Sequence, residues 1–434
     1  MARPSIFLVG RSSLDLRRVL PSTGLWANRN FMHLWGAETV SQFGSQSTPV
    51  LLPLLAAITL GASPFQMGLL ATAAGLPTLL FGFVAGAWVD RLPRRTVMLV
   101  ADLGRAATLL MIPAAALVDI LSMTMLVLVS FIVGIQTVFF NAAYVSILPN
   151  LVAQVELPDA NGKLYSSQSV AQVAAPALAG SLIGIVTAPI VVILNAIAFA
   201  WSALFIRKIV VREQGASSSK TDRHFWREVR EGVSALWSSP MLRSTTLATA
   251  TINLAGYIFL SVYVLYMTGR LGLSATGVGF VYASGGVGAL IGSVIAPRLP
   301  RRIGLGRTLV VAAVAQGVFG GTVPLAIAVP DLALPLVVAA EFMQWLWLVV
   351  FFVNVVSLRQ SITPNRLLGR VAASNQVITG GMAPIGSFLG GVIGSAVSVE
   401  ASLIVGIVGM FLAGGWIVWS PVGQLRSLPP MPVE

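Results

Sequence analysis

The pentapeptide Arg-Leu-Pro-Arg-Arg occurs twice in this chain of 434 residues, at 91–95 and at 298–302. The two copies start 207 residues apart, which is close to half the chain length. Each copy follows an apolar stretch with a Gly-xxx-Gly pair, which is Gly82 and Gly86 in the first case and Gly288 and Gly292 in the second. The repeat therefore predicts two similar structural units of about equal length.

Charged residues make up only 10% of the chain, against about 25% in ordinary soluble domains. Hydrophobic residues make up 56%, and the mean hydropathy is +0.86, so most of the chain is expected to lie in lipid. The chain has no cysteine and only two histidines, His33 and His224, which cannot form a metal site or an acid-base cluster. No enzyme, metal or cofactor is predicted, and the Gly-x-x-x-x-Gly-Lys signature of ATP-driven pumps is absent from the sequence.

Apolar runs long enough to cross roughly 30 Å of hydrocarbon as helices occur twelve times. The predicted spans are residues 31–60, 64–88, 97–118, 122–148, 162–186, 188–206, 243–269, 275–297, 307–328, 333–358, 369–395 and 399–420. They predict an all-α membrane protein with twelve transmembrane helices in two pseudo-symmetric six-helix bundles. The predicted parts are a tail at 1–30, bundles at 31–206 and 243–420, a linker with an amphipathic helix at 207–242, and a tail at 421–434.

The basic residues predict the orientation in the membrane. Of the 27 lysines and arginines, 26 fall on one side of the predicted spans, and the exception is Arg270. By the positive-inside rule that side is cytoplasmic, so both termini are expected in the cytoplasm and the protein in the inner (cytoplasmic) membrane. The apolar run at 5–9 is too short for an export signal. Basic loops on anionic lipid account for the net charge of +12, so no nucleic-acid partner is predicted.

The linker contains apolar residues at helical spacing, which are Phe225, Val229, Val233, Leu236 and Trp237. Charged residues fall elsewhere around the same helix. This pattern predicts an amphipathic helix on the inner membrane surface that ties the two halves together. A solvated linker helix is the alternative.

The loop from Gly86 to Arg95 reads Gly-Ala-Trp-Val-Asp-Arg-Leu-Pro-Arg-Arg and resembles the signature between spans two and three of the major facilitator superfamily. Segments 61–68, 156–161 and 363–371, together with Asp102 and Arg105, resemble the drug:proton antiporter branch that includes macrolide efflux proteins and the enterobactin exporter. The resemblance covers roughly residues 28–420. It implies a secondary transporter that exports amphiphilic small molecules by alternating access, in exchange for protons. We expect a monomer. A siderophore or other secondary-metabolite exporter and an uncoupled facilitator are the alternatives.

The resemblance also implies a latch that holds the cytoplasmic face in its outward-open state. Its residues are Gly86, Asp90, Arg91, Arg94 and Arg95. The Asp90 carboxylate could accept from free N–H groups at a helix amino terminus. A basic loop that only sets topology is the alternative. In the second copy Pro297 stands where Asp90 stands in the first, so the latch is expected to be one-sided.

Four charged residues are predicted inside the membrane. Asp102 and Arg105 are three positions apart in span three, which predicts a structural ion pair, with a proton site as the alternative. Glu38 and Glu341 lie in spans one and ten, where an acid near the centre costs roughly 2.5–3.5 kcal/mol. We therefore expect both acids to face a central cavity and to carry protons. Acids held by interhelical hydrogen bonds, without a role in transport, are the alternative.

Polar residues at helical spacing on spans one, four, seven and ten predict the lining of that cavity. The predicted substrate-binding residues are Glu38, Gln42, Gln46, Thr137, Asn141, Asn253, Tyr257, Gln344 and Trp345. Such polar side chains also serve as interhelical hydrogen-bonding partners, which is the alternative for each of them. A lining with aromatic surface, two acids and no lysine or arginine favours cationic or neutral amphiphiles.

Overall fold

The computed structural model describes residues 25–89, 91–210 and 225–429, without the side chains at 83, 87 and 225–229. Within these ranges all regular secondary structure is helical. The first half contains α1 (Arg29–Thr59), α2 (Pro64–Val89), α3 (Arg94–Leu117), α4 (Met123–Ile147), α5 (Leu157–Ile185) and α6 (Ala188–Arg207).

The second half begins with a linker helix and ends in a short carboxyl-terminal turn. Its helices are α7 (Phe225–Ser238), α8 (Pro240–Leu265), α9 (Ala275–Ile295), α10 (Leu299–Ile303), α11 (Leu305–Leu325), α12 (Ala333–Ile362), α13 (Asn365–Gly380), α14 (Met382–Ala396) and α15 (Val399–Val418). A π-helical turn, Tyr266–Arg270, extends α8, and a 3-10 turn, Pro421–Gln424, follows α15.

Eleven helical segments in the described ranges are long and apolar enough to cross a membrane. The twelfth long helix is α1, whose 31 residues include Glu38, Gln42 and Gln46 as well as two prolines. The predicted all-α membrane fold is confirmed. The predicted span at 369–395 lies within one membrane-crossing segment, Asn365–Ala396, which is interrupted at Gly381 between α13 and α14. Pro384 has no N–H to donate to the carbonyl of residue 380, so it fits the first turn of a new helix better than a helix interior.

The two halves pack their helices in the same pattern. In the first half α1 contacts α5 and α6, and in the second half α8 contacts α14 and α15. Likewise, α3 contacts α4 and α6 as α11 contacts α12 and α15, and α2 contacts α4 as α9 contacts α12. The repeat seen in the sequence is therefore a repeat of tertiary structure, and the halves are pseudo-symmetric bundles.

The halves meet mainly through two helix pairs, α2 with α14 and α5 with α9. Glycines allow the close approach in both pairs. A methyl group on Gly68 would lie 2.5 Å from the Cα of Gly391, and one on Gly180 would lie 2.6 Å from the Cα of Gly279. These contacts lie toward the end of the molecule that carries the loops after α1 and α5.

The hydrophobic core also differs between the two ends of the molecule. At that end one cluster of buried side chains runs through both halves and includes Leu55, Phe199, Val262 and Val337. Toward the end that carries the repeated arginine loops the core splits, with one cluster around Phe31, Met98 and Ile147 and another around Leu309, Phe351 and Ile417. The two bundles are thus closed against each other at one end, the closed end, and have separate cores at the other, the open end.

The linker helix α7 packs on the second half. Leu236 is buried with Leu242 and Val371, and a methyl group on Gly232 would lie 2.5 Å from the carbonyl oxygen of Arg370. Two residues of its predicted apolar face, Val233 and Trp237, are exposed, whereas the Phe225 and Val229 side chains lie outside the described residues. The linker helix therefore belongs structurally to the second half.

Part of the predicted carboxyl-terminal tail also packs on the second half. The backbone N–H of Leu305 donates to the carbonyl of Arg426 at 3.3 Å, and that of Gly306 donates to Leu425 at 2.8 Å. The segment therefore satisfies donors at the start of α11, which a helix cannot satisfy internally.

Candidate functional site

Arg105 on α3 is a fully buried cation in the first half. It donates to Asp102, also fully buried, so the predicted contact between these residues is present. Its guanidinium lies between the rings of Phe140 on α4 and Phe199 on α6, 4.3 Å from each ring centroid. Aromatic faces and a carboxylate thus surround the cation, an arrangement that favours arginine over lysine.

Helix α1 completes this site. Arg105 also donates to the hydroxyls of Ser41 and Ser45, at 3.3 and 3.4 Å. These serines follow Glu38 by three and seven positions, so all three residues lie on one face of α1. The Glu38 carboxylate is buried and accepts from the side-chain amide of Gln42 at 2.7 Å. Its second oxygen has no hydrogen-bond partner among the described residues.

Glu38, Asp102 and Arg105 form one charge cluster. Arg105 donates to Ser41 and Ser45 on the face of α1 that carries Glu38, so the charges of Arg105 and Asp102 both lie near Glu38. The cluster contains two carboxyl groups and one guanidinium, of which only Asp102 pairs directly with Arg105, so uptake of one proton leaves the cluster neutral. Since an excess charge is costly in a low-dielectric interior, a cluster of this composition can bind and release one proton as its surroundings change.

Glu341 occupies a different environment in the second half. It accepts from the indole N–H of Trp345 at 2.8 Å. The hydroxyl of Tyr263 lies beside it without a well-aligned hydrogen bond. A methyl group on Gly285 of α9 would lie 3.2 Å from the Glu341 Cγ. Glu341 is therefore enclosed by α8, α9 and α12.

The expectation that Glu38 and Glu341 face an open cavity was wrong for this conformation. Only 3% and 4% of their surfaces are exposed. Each carboxylate accepts from the side chain four positions further along its own helix, which holds it against the helix surface. At Glu341 the small residue Gly285 then lets α9 cover the side chain. Both acids lie inside their own bundles.

Two of the predicted lining residues make hydrogen bonds to the protein itself. Thr137 donates to the carbonyl of Val133 in its own helix at 2.8 Å. Asn253 donates to the carbonyl of Thr379 at 2.9 Å and so joins α8 to α13. In this conformation these side chains stabilise helices and helix pairs.

Four other predicted lining residues keep some accessible surface. Asn141 and Tyr257 are exposed, while Gln46 and Gln344 are half-buried. Gln344 packs toward Gly320 of α11 and Tyr257 toward Gly386 of α14. The structure therefore brings Gln42 to Glu38 and Trp345 to Glu341, and leaves Asn141, Tyr257 and Gln46 accessible.

The predicted latch can be described only in part. Asp90 lies outside the described residues. A methyl group on Gly86 would meet open space, and Arg91 begins the turn that follows α2, with its backbone N–H bonded to Trp88 at 3.0 Å.

Arg94 and Arg95 bind helix ends within the first half. Arg94 donates to the carbonyl of Ser146 at the end of α4 at 3.0 Å, and Arg95 donates to that of Ile206 at the end of α6 at 3.3 Å. The last carbonyls of a helix have no internal partner and carry a partial negative charge, which the arginines offset. In this conformation they fasten α3 to α4 and α6.

Several known proteins resemble this chain in sequence. The Major Facilitator Superfamily model matches residues 34–383. The multidrug efflux pump Tap of Mycolicibacterium fortuitum is 26% identical over 411 residues, which is 88% of this chain and 97% of that protein. Macrolide efflux protein A of Streptococcus pyogenes is 25% identical over 206 residues, covering 48% of this chain and 51% of that protein.

The uncharacterized MFS-type transporter YfiS of Bacillus subtilis is 25% identical over 279 residues, which is 63% of this chain and 65% of that protein. The match thus spans less than two thirds of YfiS and about half of the macrolide efflux protein.

Among solved structures, a bacterial homologue of the iron transporter ferroportin in its inward-facing state superposes with a TM-score of 0.70 at 19% identity, covering 90% of this chain and 98% of that one. This likeness concerns the fold alone.

Proposed function

Because the chain belongs to the Major Facilitator Superfamily, we propose that it is a secondary active exporter of cationic or neutral amphiphilic small molecules, driven by proton exchange. The observation that carries the proposal is the unequal packing of the two bundles, with one shared core at the closed end and two separate cores at the open end. Such a pair of bundles can rock about a central site and expose it to each side in turn. The names of two relatives, a multidrug efflux pump and a macrolide efflux protein, support export.

The open end faces the cytoplasm in this proposal. It carries the repeated arginine loops, and arginine-rich loops are retained on the cytoplasmic side. The one basic residue predicted on the other side, Arg270, is paired with Glu400 at 2.7 Å, which reduces its effect on orientation. The structure then represents an inward-open state, from which cargo is collected. Both termini lie in the cytoplasm.

Proton exchange rests on the buried acids. Glu38 belongs to a cluster whose net charge changes with one proton, and Glu341 is held by Trp345 in the other bundle. Since both acids lie next to helices that contact the opposite bundle, rocking would change their surroundings. Each acid could thus take up a proton in one state and release it in the other.

A transport assay tests this function. The full chain is reconstituted in vesicles, and accumulation of ethidium, a macrolide and a catecholate siderophore is followed with and without a pH gradient. We expect gradient-dependent accumulation of ethidium and the macrolide. Transport that only equilibrates cargo would identify an uncoupled facilitator, and accumulation of the siderophore alone would contradict the cargo class.

Gly68→Val is expected to reduce transport about tenfold, since overpacking of this size costs roughly 1–3 kcal/mol. The added side chain would collide with Gly391 and with the carbonyl of Ser387, 2.7 Å from a methyl group at this position. Closure of the closed end would then be less favourable. Gly82→Val on the same helix is the matched control, because a methyl group there meets open space. Equal transport by the two variants would show that this contact is dispensable.

A further inference from the structure

We propose that a groove between α1 and α5 is a loading site for uncharged aromatic amphiphiles that carry hydrogen-bond acceptors. This loading groove measures about 510 Å³, a size that suits a drug-sized molecule. Its principal side chains are Trp35, Thr39, Phe43, Lys163, Ser166 and Ser167. The inference rests on the proposed function and adds to it a first binding step, separate from the buried acids.

The α1 wall of the loading groove is aromatic and fixed in place. The indole N–H of Trp35 donates to the hydroxyl of Ser167 at 3.0 Å, and Thr39 lies 3.1 Å from the same hydroxyl. Trp35 also packs edge-on against Trp26, with ring centroids 5.5 Å apart. A wall held by hydrogen bonds and ring packing loses little conformational entropy when a flat apolar ligand binds, which favours aromatic ligands.

The polar groups of the groove select against a charged ligand. The ammonium of Lys163 lies 3.6 Å from the Asp159 carboxylate and 4.5 Å from the centroid of the Trp26 ring. The two charges offset each other, so the groove offers no net charge to a ligand. An ammonium has three N–H donors, and at 3.6 Å the carboxylate is beyond ordinary hydrogen-bond distance. A carbonyl or ether oxygen on the ligand can therefore accept from Lys163.

The α5 wall of the loading groove lies on the helix face that contacts the second bundle at the closed end. Ser166 precedes Val173 by seven residues and Gly180 by fourteen, so the three share one face of α5. Val173 and Gly180 pack against Gly286 and Gly279 of α9. The same face of the helix thus forms the contact between bundles at the closed end and the wall of the loading groove at the open end.

The matching face of α9 is exposed. Leu290 and Ser293 follow Gly279 by eleven and fourteen residues, on the side that meets α5, and both are accessible. If the bundles rock, these residues would pack against Gly162 and Ser166 and cover the groove. The groove is thus available only while the open end is open, as a loading site requires.

The groove also lies next to the charge cluster. Phe43 lines the groove and follows Gln42, whose side chain donates to Glu38. A ligand seated against Phe43 is therefore one residue along α1 from the side chain that contacts the proposed proton carrier. Cargo loading and the protonation state of Glu38 can influence each other through this segment of α1.

The test measures binding of Nile red, an uncharged aromatic dye with a carbonyl acceptor, to the full chain in lipid nanodiscs, with empty nanodiscs as the blank. Its ring analogue Nile blue carries a positive charge and lacks the carbonyl. We expect Nile red to bind more tightly than Nile blue, and Lys163→Met to weaken Nile red about tenfold and to reduce the preference between the dyes.

Two variants locate the dye. Ser166→Trp, which fills the groove, and Phe43→Ala, which removes part of its wall, should each weaken Nile red about tenfold. The control is Ser238→Trp, because Ser238 is also exposed and bonded to the carbonyl four residues before it. Unchanged Nile red affinity in both groove variants would overturn the loading site. The exporter proposal would then still stand if the unmodified chain accumulates ethidium in vesicles.

Discussion

Asp102→Ala is expected to destabilise the protein by about 3–5 kcal/mol, the range for breaking a buried ion pair. The substitution leaves the Arg105 guanidinium buried with only two long hydrogen bonds, to Ser41 and Ser45. The remaining carboxylate of the cluster, Glu38, does not pair directly with Arg105 among the described contacts. Unfolding in detergent, followed by tryptophan fluorescence, measures the loss.

The double variant Asp102→Ala with Arg105→Met tests the origin of the effect. Removing both charges should recover much of the lost stability, because the cost comes from an uncompensated charge and residues in one network do not act additively. Asp159→Ala is the control, since its pair with Lys163 is largely exposed on the Asp159 side and should be worth under about 1 kcal/mol. An Asp102→Ala protein as stable as Asp159→Ala would show that the cluster is not held by its charges.

Glu38→Gln is expected to abolish accumulation of cargo in response to a pH gradient, while exchange of labelled for unlabelled cargo continues. Glutamine keeps the shape of the side chain but fixes the charge of the cluster, so no proton can be exchanged. The two activities are compared in vesicles that contain equal amounts of protein. Glu400→Gln, in the first turn of α15 and paired with Arg270 near the surface, is the matched control.

Glu341→Gln provides the second arm of this comparison. We expect the same loss, since Glu341 is the proposed proton carrier of the second half. Retained accumulation in Glu38→Gln together with a loss in Glu341→Gln would assign the coupling to Glu341 alone. Retained accumulation in both would overturn proton coupling through these acids.

Features that depend on one segment of sequence could be predicted. The spans follow from long apolar runs, and the Asp102–Arg105 contact follows from their spacing of three on a helix. The break at Gly381 could also have been read from the neighbouring Pro384, but the apolar run across it hid the signal. In these cases the determining interactions lie within a few residues of each other.

Features that depend on the rotation of one helix against another could not be predicted from the sequence. Glu38 and Arg105 lie in different helices, and their proximity depends on how α1 is turned toward α3. The serines at positions 41 and 45 were the available signal, since they mark the polar face that includes Glu38. Glu341 was misplaced for the same reason, because Gly285 on another helix lets α9 cover it.

Disulfide trapping of the two ends tests alternating access most directly, and the chain has no cysteine to interfere. With Gly184→Cys and Thr276→Cys, the Cβ atoms at the closed end would lie 3.9 Å apart, close to the mean of about 3.8 Å in disulfides. Ser166→Cys and Ser293→Cys form the matching pair at the open end, on the faces that should meet when it closes.

The four-cysteine protein is oxidised in vesicles, and the disulfides in each molecule are mapped by mass spectrometry after proteolysis. We predict that each molecule carries one disulfide or the other, that either one stops transport, and that a reductant restores it. Molecules that carry both disulfides, or that still accumulate cargo with the closed-end disulfide intact, would contradict alternating access between these two bundles.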